Sequence, residues 1–353
     1  AARQAGDRPS QGQLLLLLGL ATWMTDDFAG ATAAFRQALA LYGDLGDPAG
    51  QGDAIIGIAF VCLLADDYPP AIAYNRQALE LFRGLDHRRG QANALNGLGM
   101  VYRVTGDYPA AAASLRQARE LFRGIGHRTG EYEALCELAI VQMLTGDYPA
   151  AATTFEQARA LGRDMGDRHG QALMLYDRGR LQRLTGDYRA AAASHQQALS
   201  QVRDLGERST QVYVLNELGL VQQLTGDYAA AAISLQKALE LSRDTGERHG
   251  QAEVLNSLGE LSTRTAATQQ AREYHTQALG IARDLGVPLE QARALEGIGR
   301  SHLHDGHARE GTAYLRQALA IYQRIGAPGA QRVQETLTAH RTGKNSQTPV
   351  PEQ

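Results

Sequence analysis

The sequence contains little cysteine and lysine, and its charges nearly cancel. Cys62 and Cys136 are its only cysteines, too few for a disulfide framework, so a reducing cytosol is the expected compartment. Lys237 and Lys344 are its only lysines, a composition typical of a GC-rich bacterial genome. A net charge of −3 gives no basic field, so we do not expect a nucleic acid as a direct partner.

A long apolar run is also missing. The stretch LLLLLGLATWM at 14–24 is too short to span a membrane. Because Arg3 and Arg8 precede it, it can be read as a secretory signal peptide. The repeat register described below places it instead in the first helical repeat, and a membrane is therefore not an expected partner.

Motifs of enzyme chemistry are missing as well. The sequence has no P-loop, no CxxC and no nucleophile elbow. The segment SHLHDGH carries His302, His304, Asp305 and His307, but histidines two residues apart point in different directions on a helix. We therefore predict that the chain is not an enzyme and holds neither a metal nor a cofactor.

What the sequence does have is a repeat of 40 residues that runs in register without a gap. One aligned column consists of alanine alone: Ala38, Ala78, Ala118, Ala158, Ala198, Ala238, Ala278 and Ala318. A second holds only small residues: Gly19, Ala59, Gly99, Ala139, Gly179, Gly219, Gly259 and Gly299. Columns of this kind indicate repeated close contact between helices, and eight repeats fill residues 11–330.

Each repeat reads as two helices. In 91–130, Leu95 and Gly99 share one helical face, and the TGD segment then interrupts the pattern. Gly106 can adopt the left-handed conformation that ends a helix, and Asp107 can cap the next one. A single helix pair cannot bury both of its faces, so the repeats must stack on one another.

These residues resemble the tetratricopeptide repeat. The motif is carried in one repeat by Leu95, Leu98, Gly99, Tyr102, Gly106, Tyr108, Ala111 and Ala118. The period of forty and the missing closing proline depart from the shorter form of this repeat. The longer form resembles the repeats of kinesin light chains and of bacterial peptide-sensing regulators. The resemblance implies an all-α fold, a right-handed superhelical solenoid of eight helix-turn-helix repeats with a C-terminal capping helix.

The domain boundaries follow from the register. Residues 1–10 align with 41–50, so they are expected to be the end of an upstream repeat or a linker, and the chain a fragment or a processed product. Eight repeats occupy 11–330, a capping helix is predicted at 331–341, and 342–353 should be disordered.

The resemblance also implies where a ligand lies. Counting along each first helix so that Gly99 is position 8, positions 2, 5, 9 and 12 line the concave surface of such arrays. The candidate binding residues are Asn93, Asn96, Met100, Arg103, Tyr176, Arg180, Arg183, Tyr213, Asn216 and Asn256. Asparagine amides can pair with a peptide backbone, or can simply sit on a solvated face.

The arginines of this set can bind a ligand carboxylate in a bidentate manner, or can be balanced internally by Asp177 and Glu217. Arg178 is a separate case, because it stands at position 7, where the other repeats carry leucine or isoleucine. An unpaired buried charge costs several kcal/mol. Arg178 must therefore pair with Asp177, Glu137 or Glu217, or extend to water. A ligand-facing or switchable site is the alternative.

In the first repeat, Leu16, Leu20 and Trp23 are expected to pack against an upstream segment, with a ligand anchor as the alternative. Taken together, the sequence predicts a cytoplasmic protein- or peptide-binding module. The ligand can be acidic, or an upstream effector domain of the same protein. The parent protein would be a larger, actinobacterial-like regulator. The alternative is a scaffold for self-assembly or domain docking without a peptide ligand. A peptide-regulated phosphatase of this repeat class would need an additional N-terminal helical domain.

Overall fold

The computed structural model describes residues 8–23, 27–162 and 168–345, and within them the chain is helical, with no strand. The first helices of the pairs are α1 Arg8–Trp23, α3 Pro48–Leu64, α5 Arg88–Val104, α7 Arg128–Leu144, α9 Arg168–Leu184, α11 Arg208–Leu224, α13 Arg248–Arg264 and α15 Pro288–His304. The second helices are α2 Phe28–Leu45, α4 Tyr68–Gly84, α6 Tyr108–Gly124, α8 Tyr148–Gly162, α10 Tyr188–Asp204, α12 Tyr228–Thr245, α14 Thr268–Leu285 and α16 Ala308–Ile325. The final helix is α17, Gly329–Asn345. The predicted all-α fold of paired helices is confirmed.

The turns inside the repeats use the predicted glycine and aspartate. Gly106 has φ 79°, a left-handed conformation that glycine adopts without steric cost. Asp107 then accepts a hydrogen bond at 3.1 Å from the backbone N–H of Ala110, which satisfies one of the free donors at the start of α6.

Two of the turns between repeats use a histidine cap. The ring nitrogen Nδ1 of His87 accepts from the backbone N–H of Gly90 at 3.2 Å, and His127 does the same for Gly130 at 3.0 Å. Each imidazole therefore satisfies one of the free backbone donors at the N-terminus of a first helix. The sequence had not indicated histidine at these caps.

The columns of small residues mark the closest helix contacts. All eight alanines of the invariant column, Ala118 among them, are fully buried. A Cβ added to Gly99 would lie 2.5 Å from Cγ of Leu115, and one added to Gly219 would lie 2.6 Å from Cγ of Leu235. These distances leave no room for a side chain, so the glycines allow the two helices of a repeat to approach.

The described residues form two compact bodies. The N-terminal body lies within Ala1–Met143 and Tyr148–Met174, and the C-terminal body within Leu144–Asp147 and Leu175–Gln353. In the N-terminal body, buried Phe82, Leu98 and Phe122 share one hydrophobic cluster. In the C-terminal body, Leu235, Leu255 and Leu315 are fully buried. Each body therefore has its own core.

The C-terminal helix is longer than predicted. It runs over Gly329–Asn345 rather than 331–341, because polar residues can continue a helix without an apolar stripe. Arg332 anchors it through hydrogen bonds of 2.7 and 2.6 Å to the carboxylate of Glu296. The rest of the expected tail, 346–353, and the upstream segment up to residue 7 lie outside the described residues. Among the described helices, none combines the length and apolar character needed to cross a membrane.

Candidate binding surface on the first helices

The candidate residues are divided between the two bodies. Asn93, Asn96, Met100 and Arg103 lie on α5 in the N-terminal body. Tyr176, Arg180, Arg183, Tyr213, Asn216 and Asn256 lie on α9, α11 and α13 in the C-terminal body. The C-terminal body also contains most of the titratable side chains with altered pKa values, Glu217 and His195 among them, so it is the better-developed candidate.

The asparagine column is buried rather than exposed. Asn96 is 9% exposed, Asn216 2% and Asn256 0%. The Nδ2 of Asn256 donates to the carboxylate of Glu290 at 2.8 Å, and its Oδ1 lies 3.0 Å from Nδ1 of His275. Asn256 is therefore a packing residue, contrary to its expected place on a ligand-facing surface. Position 5 of a first helix faces its neighbours in the stack, which the helical period alone does not reveal.

The other two asparagines differ from Asn256. The Oδ1 atoms of Asn96 and Asn216 are buried and have no hydrogen-bond partner among the described residues. A buried acceptor without a partner costs about 1–3 kcal/mol. Their burial means that a ligand could reach these amides only after the surrounding side chains moved.

Two of the candidate arginines pair with a carboxylate of the following first helix. Nε of Arg103 donates to Glu137 at 2.7 Å. Nε and Nη2 of Arg183 donate to the two oxygens of Glu217 at 2.6 and 3.1 Å. Both partners lie 34 residues farther along the chain, so the two pairs are equivalent in the repeat. These ion pairs link neighbouring repeats. For Arg183 this is the alternative expected from the sequence, in which Glu217 balances the charge of the arginine.

Arg180 is held more loosely. Its Nη1 lies 3.5 Å from Oδ1 of Asp177, and its Nε lies 3.5 Å from Oε1 of Glu217. That Nε is buried without a hydrogen bond, and the guanidinium sits 5.4 Å from the centre of the Tyr176 ring. The side chain is 19% exposed. Arg180 therefore keeps donor capacity that its protein contacts do not use.

The carboxylate of Glu217 is the centre of this charge cluster. Burial acts to raise the pKa of Glu217, but Arg183 and Arg180 overcome that effect and hold it at about 2. Burial raises the pKa of Tyr176 far above its ordinary value, and Arg180 opposes this rise. At neutral pH the site therefore contains an ionised glutamate, two guanidinium groups and a neutral phenol.

Arg178 does not carry a buried charge. Its side chain is exposed, whereas its neighbour Asp177 is 5% exposed. When the amide of Gln182 is oriented to satisfy its neighbours, its oxygen accepts from Nε of Arg178 at 3.2 Å. The long stem brings the guanidinium to water, so the buried charge at this place belongs to Asp177, which pairs with Arg180.

Sequence reasoning missed two histidines in the core. His195 and His275 are 0% and 1% exposed, in a second-helix column where other repeats have Leu115, Leu235 or Leu315. Burial lowers the pKa of each to about 4. The detectable signal was a polar residue in a column that is apolar in five of the eight repeats.

Glu253 on α13 stands at position 2 of the predicted concave surface but was not among the candidate binding residues. Its side chain is 23% exposed, and its carboxylate lies 3.8 Å from Nε2 of His249. Burial raises its pKa, His249 opposes the rise, and Glu290 adds to it. On the adjacent first helix, the hydroxyl of Tyr213 donates to Glu247 at 2.5 Å. Tyr213 and Glu253 occupy the same position in successive repeats.

The apolar residues of the first repeat divide into two groups. Leu16 and Trp23 pack against the Phe35 cluster of their own body, and the Trp23 ring meets the Phe60 ring edge-on at 5.2 Å. Leu20 is 44% exposed. The most exposed large hydrophobic side chains on α1 are Leu14, Leu17 and Leu18, at 62%, 59% and 51%. The uncovered apolar face of α1 therefore consists mainly of residues outside the predicted set.

The histidine-rich turn offers no cation site in the part of the chain that the structure describes, where no group of three potential ligands is placed to hold a metal. The ring of His302 instead stacks on Tyr314 at a centroid distance of 5.6 Å and an angle of 6°. This contact gives His302 a packing role.

Comparison with known proteins places these features in context. The family model described as tetratricopeptide repeat matches residues 52–124, 131–204 and 210–284. No curated protein matches the chain.

Solved structures share the fold at low identity. A Rap protein complexed with Competence and Sporulation Factor is 11% identical, with a TM-score of 0.67, covering 90% of this chain and 98% of that one. The Rap conjugation gene regulator of plasmid pLS20 with the Phr* peptide is 15% identical, with a TM-score of 0.63, covering 93% and 98%. A STAND protein with a tetratricopeptide repeat sensor from Pyrococcus horikoshii is 14% identical, with a TM-score of 0.54, covering 92% and 50%.

Proposed function

The chain belongs to the tetratricopeptide repeat family, and we propose that it is a non-enzymatic binding module whose C-terminal body receives a peptide, or an extended segment of a partner protein, along its first helices. The observation that carries this proposal is Arg180. It is partly exposed, it stands beside Tyr176, and it retains a buried Nε without a hydrogen bond. A guanidinium in this state favours a carboxylate or a backbone carbonyl of a ligand.

The ligand class follows from the engaged and unengaged arginines. Arg183 donates two hydrogen bonds to Glu217. Its charge therefore adds to the positive electrostatic field of the site, but its guanidinium is not expected to contact the ligand. Arg180 is the arginine that can turn toward a ligand. A peptide with a free C-terminal carboxylate or an acidic side chain is therefore the expected ligand, and two structural neighbours are described as complexes with a peptide or a signalling factor.

Selection from a peptide library tests this proposal, using peptides with free and with amidated C-termini. Arg180→Ala should weaken the best ligand about tenfold or more, because hydrogen bonds to charged groups contribute about 1.5–3 kcal/mol. Arg180→Lys should recover only part of this loss, since lysine lacks the planar fork. Arg189→Ala on α10, where the side chain is exposed, is the matched control. If the wild-type chain selects no peptide, or if Arg180→Ala binds as tightly as the wild type, the proposal fails.

We further propose that the chain is the cytoplasmic sensor part of a larger, actinobacterial-like regulator. The similarity to a signal-transduction ATPase with a tetratricopeptide repeat sensor supports this context. The complete reading frame tests it: an adjoining nucleotide-binding or DNA-binding domain is the expected result. A reading frame that encodes repeats alone would contradict it.

The apolar face of α1 favours a second function, a scaffold that assembles through that face. Leu14, Leu17 and Leu18 are each more than half exposed, and contiguous exposed leucines mark interaction surfaces. Analytical ultracentrifugation tests this function. Self-association that Leu14→Ser with Leu17→Ser abolishes would support the scaffold, whereas a monomer at all concentrations would exclude self-assembly through this face.

A further inference from the structure

On the basis of the proposed function, we propose that the binding surface of the C-terminal body is dipolar. Arg180 takes a carboxylate and Glu253 takes a cationic group of the same ligand. The ligand is then a peptide segment in which a lysine or arginine side chain, or a free amino group, lies near a carboxylate.

Glu253 supplies the negative half. Its carboxylate has no hydrogen-bond partner among the described residues, and its one close contact there with a basic side chain is the 3.8 Å separation from Nε2 of His249. About three quarters of the side chain is nevertheless out of solvent, since 23% is exposed. A carboxylate that is largely removed from water without a hydrogen bond is unfavourable, and a cationic ligand group would relieve that cost.

Arg293, the neighbouring cation, is not available to pair with Glu253, because its guanidinium already pairs with two other carboxylates. Nη2 of Arg293 donates to Glu260 at 2.9 Å, and its Nη1 donates to Glu290 at 3.2 Å. Glu290 also accepts from Asn256 at 2.8 Å. These hydrogen bonds join Asn256, Glu290, Arg293 and Glu260 in one network, and Glu253 is not part of it. The raised pKa of Glu253, caused first by burial, agrees with this placement.

The two halves lie within the same electrostatic field. Arg180 acts to lower the pKa of Glu253, so the two charges attract each other. No ion pair joins them among the contacts of the described residues, so a gap remains between the two groups. Tyr213 lies on α11, the first helix between α9 and α13 in the sequence.

Four protein variants and one peptide change test the inference. The wild-type chain should select peptides that combine a cationic and an anionic group. Glu253→Gln should abolish the enrichment for the cationic group while keeping that for the carboxylate, and Arg180→Ala should do the reverse. Each change should weaken the best wild-type peptide about tenfold or more. Glu240→Gln, at an exposed position on α12, is the matched control, and the fourth variant combines Arg180→Ala with Glu253→Gln.

The peptide change keeps the test independent of protein folding. Replacing the cationic residue of the selected peptide with norleucine should weaken binding to the wild type but not to Glu253→Gln. If the wild type selects peptides and both proteins respond equally to this replacement, the dipolar surface is refuted and the proposed function stands. If the wild type selects no peptide, the proposed function itself fails, and the inference fails with it.

Discussion

Replacing His195 with leucine should stabilise the C-terminal body. His195 is fully buried, and neither ring nitrogen has a hydrogen bond within the described residues. The next repeat places Leu235 in the same position, packed against Gly219 as His195 packs against Gly179. Leucine is therefore already accommodated in this environment. Removing the unsatisfied imidazole should raise the free energy of unfolding by about 1–3 kcal/mol at pH 7.5.

The stability that His195→Leu gains over the wild type should grow as the pH falls. Burial lowers the pKa of His195 from 6.5 to about 4, although Glu217 acts in the opposite direction. Between these values the unfolded chain binds the proton more readily, so this contribution to stability is complete above pH 6.5 and declines toward pH 4. The wild type should lose about 2 kcal/mol at pH 5 and about 3 kcal/mol below pH 4 from this residue alone, because one pKa unit corresponds to about 1.4 kcal/mol.

Urea denaturation at pH 7.5 and pH 5.0, followed by circular dichroism, measures the effect, and hydrogen exchange of α9–α12 assigns it to the C-terminal body. Glu217 does not interfere, because its depressed pKa of about 2 confines its own loss of stability to the range below pH 4.5. His304→Leu removes an exposed imidazole and serves as the control. Equal pH dependence of His195→Leu and the wild type would show that His195 is protonated as easily in the folded chain as in the unfolded one, and would refute the reasoning.

Further substitutions test the packing and the ion pairs, each measured by urea denaturation at pH 7.5. Arg183→Met should cost about 3–5 kcal/mol, because it leaves Glu217 buried without its bidentate partner. Arg178→Leu should change stability by no more than about 0.5 kcal/mol, because Arg178 is exposed; a large loss would show that its charge is paired. Gly219→Ala should cost about 1–3 kcal/mol, because its Cβ would lie 2.6 Å from Cγ of Leu235; an unchanged midpoint would mean that Leu235 can move aside.

The fold was largely predictable because the repeat supplies the same information eight times. Gly106 and Asp107 define a helix junction by their own chemistry, and the alanine and glycine columns define where helices touch. Local conformation and close approach depend on residues that are neighbours in sequence or in register. The period of the repeat therefore determines both.

The contacts of the candidate binding residues were less predictable, since pairing partners lie in the next repeat. Arg183 and Arg180 share one helical face, yet Arg183 is bound to Glu217 while Arg180 is held loosely. Their separation of three residues does not indicate which one reaches the glutamate. Likewise, helical period places the Cα of Arg178 but not the end of its long side chain. The charge that is buried belongs instead to Asp177.

Site-specific photocrosslinking of a selected peptide tests the central claim most directly. A peptide with a photoreactive residue beside its carboxylate should crosslink to α9, α11 and α13, with Tyr176 and Tyr213 among the modified residues. Glu253→Gln should weaken binding while leaving the crosslinked helices unchanged. Crosslinks confined to the second helices α10, α12 and α14, or to the N-terminal body, would contradict the assignment of the binding surface.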